Sequence, residues 1–343
     1  MKMKRTIIII AALACLCGCA KTASTGKNDA AKKFFEAWAY AHKQDSWKQT
    51  PLGSWIMEEK AGTGEKVGEF SDSLFLRFNY TYTDLDGNVQ GTSVARISQQ
   101  LGTYVEGNYY GPQVFYAQNL YAGFEEILKD TRVGGKFKAA IPGWLATTKR
   151  YDSAEKYLEK ESGDDGIYEI ELTDIIYNLE KWEIDSIETY ISRNFKGIGD
   201  ISALSDTTGF YYVSGSKVSE SAKALEDTTV YINYTGRLLD GTVFDTSIRD
   251  TAMRYGLFSE GRTYGPVSFN VKSMDKYSEA KMGDEETSTI KGFARTVTMM
   301  HAFESGSGIF FSNLGYGYNG SGDKIPAYSP LRFDIQLVRK PNE

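Results

Sequence analysis

The chain has 343 residues, 41% hydrophobic and 24% charged, an ordinary globular balance with room for two or three domains. Its formal charge of −6 makes the chain a poor binder of nucleic acid on electrostatic grounds. Its two histidines, and three cysteines confined to positions 15, 17 and 19, leave no basis for an internal disulfide, a thiol nucleophile or a multi-ligand metal centre; no metal or cofactor is expected.

The first element is an export signal. "MKMKR" is a basic stretch and "TIIIIAALACL" a short apolar one, too short to suggest a membrane span. "LCGC" (16–19) follows. It resembles the lipobox of bacterial lipoproteins, which implies cleavage after residue 18 and lipidation of Cys19. Such a chain is anchored to a membrane rather than crossing it. Without Lys2, Lys4 and Arg5, 36 basic residues stand against 45 acidic ones, a charge of −9. Residues 19–43 read as a polar tether and a short amphipathic helix, with Phe34, Phe35, Trp38 and His42 at helical spacing.

A repeat comes next. "LRFNYTYTDLDGNVQGTS" (76–93) has a counterpart in "VYINYTGRLLDGTVFDTS" (230–247). Tyr80 matches Tyr234, Gly87 matches Gly241, Gly111-Pro112 matches Gly265-Pro266 and Phe115 matches Phe269, all at one offset of 154 residues. Further on, Gly123-Phe124 matches Gly292-Phe293 at an offset of 169, so the second copy carries 15 extra residues. Two copies of one domain are the simplest explanation. The expected boundaries are 44–178 for the first, 179–200 for a linker helix and 201–343 for the second.

Each copy reads mainly as strand. In "LRFDIQLV" (331–338), Leu331, Phe333, Ile335 and Leu337 alternate with polar residues, the pattern of a sheet with one buried face. Asp86-Gly87 and Asp240-Gly241 mark hairpins. One short helix is expected per copy, through Phe124, Ile127 and Leu128 in the first and Phe293, Val297 and Met300 in the second. Strands with one helix give an α+β domain. "DLDGN" (84–88) lacks Gly and Glu at the sixth and twelfth positions of a calcium loop and reads as a turn. The charged stretch 271–287 reads as a solvated excursion or a rim that grips clients.

The ordered pieces "YTGRLLDGTVFDTS", "GPVSFNV", "IKGF", "NLGYG" and "KIPAYSPLRFDIQLV" make the second copy resemble the FKBP family of peptidyl-prolyl isomerases. The first is similar in "GSWIMEEKAGTGE", "AGFEEIL", "VGGKFKAAIP" and "YEIELTDI". The signal and the doubled domain resemble exported Bacteroidetes-type members. The resemblance implies two twisted antiparallel half-barrel sheets, each around one short helix. It implies catalytic roles for Tyr234, Phe244, Asp245 and Tyr316, and substrate contacts from Val267, Ile290, Phe293, Ile325 and Phe333. It also implies proline-containing polypeptide clients and a place in the cell envelope, on the outer membrane facing the periplasm. Val267 and Phe293 depart from the family's usual aromatic and Trp. The first copy has Gln90 and Gly91 where the second has Phe244 and Asp245, and Tyr82 at the family's Gly, so it reads as catalytically inactive. The rival readings are a non-catalytic FKBP-like binding or chaperone module and, on aromatic content alone, a carbohydrate-binding lipoprotein.

Overall fold

The computed structural model describes residues 28–215, 225 and 227–341; the signal segment and Cys19 lie outside the described residues. Seven helices are described: α1 (Asp29–His42), α2 (Ala95–Leu101), α3 (Ala122–Leu128), α4 (Ala154–Lys160), α5 (Leu179–Asn194), α6 (Arg249–Arg254) and α7 (Lys291–Met299). The strands of the first repeat are β1 (Lys48–Gln49), β2 (Trp55–Lys60), β3 (Phe75–Thr83), β4 (Val89–Thr92), β5 (Gln113–Tyr116), β6 (Lys136–Ile141) and β7 (Gly166–Ile176). Those of the second are β8 (Phe210–Ser214), β9 (Thr228–Leu238), β10 (Val243–Thr246), β11 (Val267–Val271), β12 (Lys281–Met282), β13 (Thr287–Ser288), β14 (Ser305–Phe310) and β15 (Leu331–Val338).

They form two antiparallel sheets, ordered β1-β2-β6-β7-β3-β4 and β13-β12-β11-β9-β15-β14-β8, with β5 added to β3 and β10 to β9. The expected α+β architecture is therefore present. The registers repeat as well. Phe78 faces Gln113 as Ile232 faces Val267, and Thr81 faces Thr92 as Thr235 faces Thr246. Even a single bond is copied: the Tyr80 amide donates to Ser93 Oγ at 2.9 Å and the Tyr234 amide to Ser247 Oγ at 3.0 Å.

The second core sits between α7 and the inner face of its sheet, where Phe293, Ala294, Val297 and Met300 meet Phe269, Phe310 and Phe333. The helix lies close because residue 292 is glycine. A Cβ there would collide with the Phe310 ring, and one at Gly123 with Ile141. β15 alternates buried and more exposed positions as its sequence requires. β8 and β14 differ, because α5 covers the sheet's other face: Ile187 and Ile191 pack with Tyr211, Val213, Ile309 and Phe311.

Three features depart from the expectations. Each repeat holds more than one helix, since α2, α4 and α6 are present. At six or seven residues they are too short to show an apolar period. α2 and α6 start alike, with Thr92 and Thr246 Oγ1 accepting the amides of Val94 and Ile248 at 3.1 Å. The excursion 271–287 is partly ordered as sheet: β12 and β13 pair at its edge, and Ala280 is buried. α1 packs into the first repeat, with Phe35 buried edge-on to Trp144 at 5.6 Å. The Asp84 segment is a turn, with its Oδ1 accepting the amides of Asp86 at 3.0 Å and Asn88 at 2.9 Å.

The repeats touch directly. The Tyr109 amide donates to the Asp323 carbonyl at 2.8 Å, and the rings of Phe75 and Tyr328 meet edge-on at 5.2 Å. Helix α5 fastens itself to the second repeat through Glu183, whose carboxylate accepts the Ser312 amide at 2.5 Å and its hydroxyl at 2.7 Å. Burial raises the Glu183 carboxyl from 4.5 to about 7, against the lowering effect of those two bonds. A raised folded-state value means that the folded chain holds the proton between pH 4.5 and about 7. That stabilisation is complete below 4.5 and is lost as pH rises through 7. Unfolding measured from pH 4 to pH 8 should therefore show wild type losing on the order of 2–3 kcal/mol relative to Glu183→Gln across this window. Parallel curves would show that this carboxyl is not what couples the helix to pH.

Candidate functional site

The site grows from a bulge. In a regular strand, adjacent side chains point to opposite faces. β10 breaks that rule: its register against β9 shifts between Val243 and Asp245. A bulge re-aims side chains, and Phe244 and Asp245 serve one site as a result. The Phe244 ring turns inward, with 4% exposure. It lies over Gly236, where a Cβ would come within 2.5 Å of it and 2.8 Å of Phe333. This is why the central strand carries glycine there.

Around it the rings form a buried nest. Phe244 meets Phe333 edge-on at 5.5 Å, Phe333 meets Phe293 at 5.0 Å, and Phe293 meets Tyr234 at 5.5 Å. Such edge-to-face pairs add roughly 0.5–1.5 kcal/mol each beyond burial and hold the walls in one arrangement. Tyr234, Phe293, Ile325 and Phe333 are all buried. Val267 and Ile290 are half-buried against the same cluster. Ile325 is held by a small ladder in which Ser321 and Ile325 exchange backbone bonds of 2.7 and 3.2 Å.

One polar cluster faces this nest. The Tyr234 hydroxyl donates to Asp245 Oδ2 at 2.8 Å. Arg262 donates from Nη1 to Asp245 Oδ1 at 2.5 Å and from Nη2 to the Tyr234 hydroxyl at 3.1 Å. The Thr246 amide adds a bond to Asp245 Oδ1 at 2.8 Å. Burial, then the charge and the bond of Asp245, push the Tyr234 hydroxyl up; it stays a donor at neutral pH. Tyr316 lies at the margin of the cluster, 36% exposed. Burial and then Asp245 raise its hydroxyl too, so the two groups lie within electrostatic reach.

The structure thus gathers Tyr234, Phe244, Asp245, Phe293, Ile325 and Phe333 in or against one core, with Val267, Ile290 and Tyr316 toward its margin. Arg262 was not singled out from the sequence. An acid beside a buried ring needs a partner, which was the available signal. The partner comes from an aperiodic loop 17 residues later, so its identity was not readable.

The first repeat solves the same space differently. Tyr82 occupies the position of Gly236, and its ring stacks on Tyr168 at 4.6 Å. Gln90 and Gly91 supply no competing ring. A cavity of about 380 Å³ remains, lined by aromatic side chains including Phe78, Tyr80, Phe115 and Phe124.

Residues 220–338 match a family model described as FKBP-type peptidyl-prolyl cis-trans isomerase. A relative named "Probable FKBP-type peptidyl-prolyl cis-trans isomerase FkpA", from Neisseria meningitidis serogroup B, is 31% identical over 36% of this chain and 35% of its own length. FK506-binding protein 2 of Dictyostelium discoideum is 34% identical over 31% of this chain and 61% of its own. The chain thus spans less than two thirds of either relative. A solved structure of the three FKBP domains of wheat FKBP73 aligns with 83% of this chain and 93% of its own, at 17% identity and a TM-score of 0.29, a global likeness too weak to carry weight.

The ring over Gly236 gives a stability test. Gly236→Ala should cost about 1–3 kcal/mol by overpacking, measured by urea unfolding. In a Phe244→Ala background the closer of the two collisions is gone and only the approach to Phe333 at 2.8 Å is left, so the double variant should lose less than the two single losses together. Strict additivity would contradict the close approach.

Proposed function

Residues 220–338 belong to the FKBP-type peptidyl-prolyl cis-trans isomerase family, and from that premise we propose that this protein isomerises X-Pro bonds in exported polypeptides at the pocket of its second repeat. The observation that carries the proposal is the aromatic nest of Phe244, Phe293 and Phe333 joined to the bonded set Tyr234, Asp245 and Arg262. The reaction needs no nucleophile. Rotation about an amide faces a barrier of about 18–20 kcal/mol because resonance is lost on twisting. The planar amide is more dipolar than the twisted one, so a dry aromatic wall disfavours the ground state more than the transition state. A hundredfold acceleration needs only about 2.7 kcal/mol of such preference.

The roles follow. Phe244, Phe293 and Phe333 exclude water and hold the proline ring. Val267, Ile290 and Ile325 complete the apolar contact. Tyr316 donates to the carbonyl oxygen of the bound segment. Asp245, fixed by Tyr234 and Arg262, presents a preorganised dipole where the carbonyl turns, so the site does not reorganise during the twist. The first repeat has neither Phe nor Asp at the matching positions and serves binding rather than catalysis.

The setting is the cell envelope. The apolar signal and "LCGC" support lipid anchoring through Cys19, on an outer membrane facing the periplasm. Cys19→Ser should then leave the protein unlipidated and free of the membrane fraction.

The assay is proline-limited refolding, or isomerisation of an X-Pro peptide, with residues 20–343. The uncatalysed step takes tens to hundreds of seconds. Wild type should shorten it; folded Phe244→Ala should retain little activity; Asp245→Ala should lose a smaller part. Truncating a buried Phe costs about 3–5 kcal/mol, so circular dichroism must accompany each variant. A wild-type chain that accelerates none of several X-Pro peptides would defeat the proposal in favour of a binding module.

A further inference from the structure

We propose that the cavity of the first repeat is a binding site for a cationic side chain, arginine above lysine, carried by an extended polypeptide. The proposal concerns binding at a different site and does not depend on isomerase activity.

The chemistry of the lining points there. The cavity, about 380 Å³, has aromatic walls. The Tyr82 and Tyr168 rings stack at 4.6 Å, Phe124 meets Tyr168 edge-on at 4.8 Å, and Tyr121 stands beside Phe124 at 6.1 Å. Asp164 lines the same cavity from an exposed position. Its charge acts on the hydroxyls of both Tyr82 and Tyr168, where it adds to burial in raising them. No lysine or arginine lines the cavity, and no ion pair reaches Asp164 among the described residues. The second repeat is the contrast: the carboxylate beside its rings, Asp245, is already neutralised by Arg262.

An apolar side chain would fill the cavity but would leave the carboxylate at its edge without a counter-charge. A cationic side chain suits both features. Its aliphatic stem lies on apolar surface. Its head meets ring faces and the carboxylate together, and a planar guanidinium does so better than an ammonium. The acidic chain, at −6 overall, attracts basic segments from a distance.

The neighbouring space supports a polypeptide as the carrier. Tyr80 lines this cavity and also a polar cleft of about 590 Å³ between the repeats. Gln90, Gly91 and Asn108 line that cleft from one side and Asp323 from the other. Asp323 acts on the Tyr80 hydroxyl, adding to burial in raising it. A chain lying in the cleft can send one side chain past Tyr80 into the cavity, with a second carboxylate close by.

The test is calorimetric titration of residues 20–343 at low salt with the peptide acetyl-Gly-Ala-Arg-Ala-Gly-amide, and with its citrulline twin, which keeps the shape and loses the charge. The arginine peptide should bind about tenfold more tightly than the citrulline peptide. Asp164→Asn, an exposed change, should weaken it about threefold to fivefold and leave the citrulline peptide unaffected. An X-Pro peptide without basic residues should not displace it. Equal affinity for the two peptides, no heat from either at millimolar concentration, indifference to Asp164→Asn, or displacement by the X-Pro peptide would each overturn the proposal. None of these readings measures isomerisation, so loss of the isomerase reading leaves this one standing or falling by itself.

Discussion

A ring lies over the long strand β3 or β9 of each sheet, and the two repeats supply it from different strands. In the second repeat the ring is Phe244, delivered from β10 by a bulge and seated on Gly236. The bulge that brings the ring inward also sets the next residue, Asp245, against Tyr234 and Arg262. Apolar wall and oriented carboxylate are therefore one construction. In the first repeat the ring comes from the central strand itself, as Tyr82 on Tyr168. β4 then has no need of an aromatic, and Gln90 and Gly91 occupy the places of the pair. The two solutions are mutually exclusive, because a side chain at residue 236 would strike Phe244.

In the second repeat the rest of the fold closes over that space. Helix α7 can press on the sheet because Gly292 leaves room for Phe310. The outer face is sealed by α5, whose Glu183 is buried and bonded to Ser312, at the start of the segment that leads to Tyr316. That loop carries Tyr316 and Ile325 and also meets the first repeat, through the Asp323 carbonyl and the Tyr109 amide. The loop that carries Tyr316 and Ile325 thus rests on the first repeat. A helix that reads as a linker is in physical terms a layer of the second repeat.

Much of this was legible in the sequence because it rests on period and offset. The constant spacing from Tyr80 to Tyr234 and from Phe115 to Phe269 marks the two copies, and the strands of both sheets keep that offset in their registers. Alternation in 331–338 placed Phe333 inward, and the ordered motifs assembled Phe244, Asp245 and Phe293. What escaped lacks local periodicity. Arg262 sits in a loop whose path depends on tertiary closure. α2, α4 and α6 are shorter than two helical turns. The strands β12 and β13 are two residues long; β12 pairs with the edge of β11 and β13 with β12. The role of Tyr82 was half visible: its departure from glycine was plain, but not that its ring stacks on Tyr168 beside an open cavity.

The central claim is that catalysis belongs to the ring delivered by the bulge, and it is tested most directly by exchange NMR of an X-Pro peptide with residues 20–343. The account predicts cis–trans exchange peaks that appear only with the protein, together with shifts of the Tyr234, Phe293 and Phe333 ring signals while Tyr82 and Tyr168 stay unmoved. Exchange without any change at the second-repeat rings, or ring shifts confined to Tyr82 and Tyr168, would contradict it.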